Sequence, residues 1–131
     1  MPSSSFWQGV TQFNQQQFYD CHDTFEELWM EAPIYDRAFY QGLLQIAVGC
    51  YHLSNSNWRG AVILLGEGMG RLEKYEPFYY QVNVSQLLDE SNQLLDQLKE
   101  IGEEEIINWV EHFQATSLPK IVTVKEENND S

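Results

Sequence analysis

A chain of 131 residues with 43% apolar and 14% aromatic side chains has the length and apolar content of one domain with its own core, which excludes a disordered polypeptide. Twenty Asp and Glu against seven Lys and Arg leave a net charge of −13, a field that repels nucleic-acid backbones and anionic membrane surfaces alike. Cys21 and Cys50 are too few and too far apart for a disulfide framework or a CxxC metal site, no apolar run reaches the ~20 residues of a membrane span, and the N-terminus carries no export signal, so free thiols and a cytoplasmic location are expected.

Residues 1–5 are expected to be a disordered N-terminus. Phe6, Val10 and Phe13 recur at helical spacing and predict a short first helix ending near Asn14. Beyond a polar stretch of glutamines, Phe18, Cys21, Phe25, Leu28 and Ala32 share one face of a second helix, which Pro33 stops. The third helix, over residues 36–53, is the most apolar and is expected at the centre. A polar turn over residues 54–57 then offers an N-cap to a fourth helix striped by Ala61, Leu65, Gly68 and Leu72. Gly66, Gly68 and Gly70 are unfavourable inside a helix, and the expectation is that they mark close helix packing.

Pro77 and the run Phe78, Tyr79, Tyr80 break the helical pattern, either as a loop folded over the core or, with Trp7, as a self-association surface. A fifth helix has a clear start: Asn83 caps, Gln86 sits three residues on, and Val82 and Leu87 are placed as a hydrophobic staple. Its stripe is Leu87, Ser91, Leu94, Leu98 and Ile101, with Gly102 as the stop. Ile106, Trp109, Val110 and Phe113 suggest a last short helix behind Glu103 to Glu105. A turn, an aromatic and then a small residue occur at Asn14, Phe18, Cys21 and again at Asn55, Trp58, Ala61, an echo about forty residues apart that suggests paired helix hairpins. The prediction is an all-α fold: a compact bundle of five to six helices, built from antiparallel hairpins around a buried third helix, over residues 6–118. An extended or disordered tail follows over residues 119–131.

One polar group stands out. At ~100° per residue, Arg37, Gln41, Gln45 and His52 fall in a single stripe of the otherwise apolar third helix. On the second helix His22, Glu26 and Trp29 lie on the flank of the apolar face, while Asp23 and Glu27 turn outward. Facing each other, the two sets would make a half-buried pocket whose polar groups must pair. A plain solvent face is the alternative for the stripe.

With these residues in view, the sequence resembles the family known as domain of unknown function family 309. The resemblance spans residues 6–72 and is carried by Phe13-Asn14, Phe18-Tyr19-Asp20-Cys21-His22-Asp23, Glu26-Glu27-Leu28-Trp29, Gln41-Gly42-Leu43-Leu44-Gln45, His52-Leu53 and Asn57-Trp58-Arg59-Gly60-Ala61. It implies a helical bundle and brings no activity or cofactor. Where the family's motif has His-Glu, this chain has His22-Asp23, a shorter carboxylate.

The functional expectation is a non-enzymatic interaction or small-ligand-binding domain. It would use His22, Glu26, Trp29, Arg37, Gln41, Gln45 and His52, with no cofactor or metal and a protein or small molecule as partner. Homo-oligomers are possible; nucleic acid and membrane are not expected partners. The alternative is a metal-dependent or acid–base hydrolase using the same cluster, although neither HExxH nor paired Glu-x-x-His is present.

Overall fold

The computed structural model describes residues 3–113 and 117–124. Ser3 opens the first helix by accepting a hydrogen bond from the Phe6 amide (3.3 Å), and α1 (Ser4–Asn14) buries Phe6, Val10 and Phe13. Ser4 and Ser5 are therefore helical, where disorder was expected. Next, α2 (Phe18–Glu31) buries Phe18, Cys21 and Phe25, with Leu28 and Ala32 packed at the edge of the core. Pro33 then sits ahead of α3 (Ile34–Ser54), which buries eleven residues and packs between α2 and α4 (Trp58–Leu72) as the central helix. The α4 stripe of Ala61, Leu65, Gly68 and Leu72 is fully buried, and Asn57 caps the helix through the Gly60 amide (3.0 Å).

The forty-residue echo has a structural basis in the turns. Gln16 (φ 65°) after α1 and Ser56 (φ 59°) after α3 both adopt the left-handed conformation. In the first turn the Gln17 amide donates to Gln12 O (2.8 Å) and the Gln16 amide to Phe13 O (3.0 Å). Asn57 to His52 O (2.8 Å) and Ser56 to Leu53 O (2.9 Å) repeat this forty positions later. These are Schellman turns, which satisfy the last carbonyls of one helix and reverse the chain into the next. Phe18 and Trp58 follow, and Cys21 and Ala61 each reach zero exposure against the neighbouring helix. The chain is thus two helix hairpins stacked in order, α1–α2 on α3–α4.

A 3-10 turn (Glu73–Tyr75) and a two-stranded hairpin, β1 (Phe78–Tyr79) and β2 (Val82–Asn83), replace the expected loop. Tyr79 and Tyr80 are half-buried and pack on the core, as does Trp7, whereas Phe78 remains exposed. Asn83 caps α5 (Val84–Ile101) through the Gln86 amide (2.9 Å), and Val82 and Leu87 are both fully buried. The reciprocal half of the capping box is absent: the Gln86 side chain donates to Glu90 (2.9 Å), and the Asn83 amide donates to Val122 O (2.8 Å). Gly102 ends the helix at φ 80°, a conformation natural to glycine. The Trp58 indole donates to Leu98 O (2.7 Å), tying α5 to α4.

Glu103–Glu105 forms a second 3-10 turn, and α6 (Ile106–Glu111) is a short helix. The segment beyond it is extended. Asn14 exchanges two hydrogen bonds with the Ile121 backbone (2.9 and 2.8 Å), Val124 donates to Gln81 O (2.7 Å), and Thr123 bridges to Val82. Ile121 is buried, so the core reaches past residue 118, where the domain was expected to end. The remainder of the expected tail, residues 125–131, lies outside the described residues, as do Met1 and Pro2.

The α4 glycines divide sharply. A β-carbon on Gly68 would lie 2.8 Å from the Gly42 carbonyl oxygen and 3.0 Å from the Ile46 amide nitrogen, so α3 and α4 meet backbone to backbone there. Gly66 and Gly70 have nothing within 4 Å of that position, which corrects the expectation that all three mark close packing. Gly68→Ala is expected to cost about 1–3 kcal/mol, because main chain must move. Gly66→Ala and Gly70→Ala should each add up to about 1 kcal/mol through helix propensity alone. Urea unfolding of the three variants checks this, and equal effects of one sign would contradict it.

Candidate functional site

Because α2 and α3 run side by side, the N-terminal part of α2 meets the C-terminal part of α3. Cys21 points into the core, so its neighbour His22 sits half-buried at the rim. Together with Tyr19, Val48, Tyr51 and His52 it lines a small pocket of about 140 Å³. The two imidazoles are held in opposite ways. His22 Nδ1 lies 3.1 Å from Asp23 Oδ1, and since a carboxylate only accepts, Nδ1 carries a proton, and in the neutral ring Nε2 is then an acceptor. Asn57 Oδ1 is committed to the Gly60 amide, so its Nδ2 donates to His52 Nδ1 (3.1 Å), and in the neutral ring Nε2 is then a donor. One pocket thus carries an imidazole acceptor and an imidazole donor. Asp23, expected to be merely solvated, is the group that sets the first.

The other residues expected in the cluster go elsewhere. Arg37 lies over the Trp29 ring, 5.4 Å from its centroid, at the opposite end of the α2–α3 interface. Gln45 turns to α4, accepting from Arg71 Nε (2.9 Å) and donating to Glu67 (3.2 Å). Gln41 is half-buried without a hydrogen-bond partner for its side chain among the described residues. Glu26 stays with His22 and Asp23, the three offering ligand atoms within 4.8 Å of one another. The expectation of one continuous cluster is therefore corrected. Arg37 and His52 share a stripe in projection but stand roughly 22 Å apart along the axis at 1.5 Å per residue, too far to face one short stretch of α2.

Beyond the Tyr19 and Tyr51 rings (centroids 5.8 Å apart) lies a larger cleft of about 500 Å³. Phe18, Tyr19 and Asp20 of α2, Cys50 and Tyr51 of α3, and Phe113 after α6 form much of its wall. Tyr19 and Tyr51 border both spaces, so the cleft and the histidine pocket adjoin. The sequence did not disclose this cleft, because Val110, Phe113 and Leu118 reach it only through the tertiary fold. Cys50 is no nucleophile: burial pushes its thiol up to about 12, and burial raises Cys21 as well. Both belong to the core, as expected from the sequence.

A second group also escaped the sequence. Asp36, in the first turn of α3, is 3% exposed and accepts hydrogen bonds from the hydroxyls of both Tyr79 and Tyr80. Tyr75 donates to Tyr35 O (2.9 Å) beside it, and the Tyr79 ring packs on Phe39 at 4.8 Å. Here the phenols satisfy a buried carboxylate at the start of α3.

These features define a small all-α domain of two stacked helix hairpins with a cleft at one end. Residues 6–64 match the model of the family described as Domain of unknown function (DUF309), so that segment is similar to this family. The matched stretch includes His22, Asp23, Tyr19, Tyr51 and His52, while Val110, Phe113 and Leu118 fall outside it. Neither the curated proteins nor the solved structures yield a match to the chain. Among the described residues no helix is long and apolar enough to cross a membrane.

Proposed function

We propose that the protein is a non-enzymatic small-ligand-binding domain whose ligand sits in the 500 Å³ cleft and extends a polar end to His22 and His52. The observation that carries this reading is the cleft itself. Its volume lies within the ~300–1,000 Å³ typical of small-molecule sites, and its wall is mainly apolar and aromatic. The adjoining pocket adds one acceptor and one donor, the kind of sparse polar set that orients a ligand in such sites. Titration with the uncharged fluorescent probe Prodan tests it. Saturable one-to-one binding is expected, and Ser54→Trp, which fills the cleft, should weaken it by about tenfold or more, a difference of 1.4 kcal/mol. Absence of saturable binding, or binding untouched by Ser54→Trp, removes the reading.

One observation favours the rival, a metal-dependent or acid–base hydrolase: His22, Asp23 and Glu26 are close enough to share an ion. Stoichiometric metal in protein purified without an affinity tag, lost on His22→Ala, would support that reading instead.

A further inference from the structure

The charges around the cleft say what kind of ligand it would take. Among the described residues no Lys, Arg or His side chain lines it, and the one charged lining residue is Asp20. Among the described residues the Asp20 carboxylate has no ion-pair or hydrogen-bond partner; only its backbone carbonyl is used, by the Thr24 hydroxyl (3.2 Å). Tyr19 and Tyr51 approach each other to 5.8 Å at an angle of 41°, and the Phe18 and Phe113 side chains complete an aromatic lining. An aromatic face carries negative charge density and attracts a cation, most strongly where water is excluded. The chain's net charge of −13 adds a long-range field of the same sign. An anion entering this space would meet a carboxylate, aromatic faces and no cationic partner among the described residues.

From this juxtaposition we infer that the cleft binds an organic cation, an amine or quaternary ammonium group on an apolar body. The cationic group lies against the cleft side of the adjoining Tyr19 and Tyr51 rings and beside Asp20, and the body lies against Phe18, Cys50 and Phe113. This rests on the small-ligand reading above and specifies its ligand class.

The test is calorimetric titration of the full chain at physiological ionic strength with three probes: benzyltrimethylammonium, its uncharged carbon isostere neopentylbenzene, and benzylsulfonate. The cation is expected to bind about tenfold more tightly than the isostere, and the sulfonate more weakly than either. Asp20→Asn and Tyr51→Leu should each cut the preference for the cation to about threefold or less while leaving isostere binding in place. Asp89→Asn, which removes the same charge from an exposed position on α5, should leave the preference intact and so separate the local site from the global field. Equal binding of cation and isostere, or loss of the preference in Asp89→Asn, overturns the cation inference and leaves the cleft standing. Failure of all three probes together with Prodan takes the cleft reading with it.

Discussion

Asp36→Ala is expected to lower the unfolding free energy by about 3 kcal/mol, the largest single-site loss available outside the apolar core. The side chain is 3% exposed and accepts from Tyr79 and Tyr80, so its removal strips two phenols of a charged acceptor at once. A hydrogen bond to a charged group contributes roughly 1.5–3 kcal/mol, and relief of the buried charge offsets part of the sum. The same contact holds the hairpin turn. Tyr80 and Gln81 sit at φ 49° and 68°, a conformation that costs a residue other than glycine or asparagine on the order of 1–2 kcal/mol and persists only when its surroundings enforce it. Tyr79→Phe and Tyr80→Phe should each cost about 1–2 kcal/mol, and the double variant in the Asp36→Ala background should add little further, since the partners are already lost. Guanidinium unfolding of the wild type, Asp36→Ala, the Tyr79→Phe/Tyr80→Phe double variant and the combined triple variant measures this cycle. A loss below about 1 kcal/mol for Asp36→Ala, or full additivity, would show that the phenols find water equally well.

The same carboxylate shows where reading the sequence runs out. Helix stripes were legible because burial on a helix repeats every three to four residues, and Ala61, Leu65, Gly68 and Leu72 are buried as their spacing demands. Caps were legible where one side chain and one nearby amide suffice, as at Asn57 and Asn83. Asp36 was not: in sequence it is an acidic residue in a helix's first turn, an ordinary solvated position, and its partners arrive from more than forty residues away. The hairpin lacked the glycine or asparagine that announces a two-residue turn, because Tyr80 takes the strained conformation itself. In the candidate site, His22 and His52 were brought to one pocket, but a helical wheel projects away distance along the axis and so merged them with Arg37 and Gln45. The glycines of α4 failed for a similar reason. Periodicity places Gly68 on the buried stripe, but the idea of close packing was extended to Gly66 and Gly70, which face open space.

Alkaline pH should unfold the protein over a window set by its buried thiols and phenols. Burial raises both thiols, Cys50 to about 12. Hydrogen bonding to Asp36, followed by burial, pushes Tyr80 up to about 12, and burial followed by the Asp36 contact raises Tyr79. Burial also raises Tyr40 and Tyr75. In the unfolded chain a thiol titrates near 8.5 and a phenol near 10, so below about pH 8 both states hold the same protons and these groups impose no pH dependence. Above that point the unfolded state sheds protons that the folded state keeps, and stability falls by about 1.4 kcal/mol per pH unit for each such group. Cys21 and Cys50 open the decline near pH 8.5–9, and Tyr79 and Tyr80 steepen it above about pH 10. By about pH 11 the accumulated loss should exceed roughly 4 kcal/mol, a large share of the 5–15 kcal/mol a domain normally has. Urea midpoints taken across this range, with ultraviolet absorbance following phenolate, separate the two phases. Replacing both cysteines by alanine should flatten the first, and Tyr79→Phe with Tyr80→Phe the second. A midpoint that stays level to pH 11 would contradict the burial of both thiols and phenols, and phenolate appearing near pH 10 from all seven tyrosines of the folded protein would mean that Asp36 and its phenols are open to solvent.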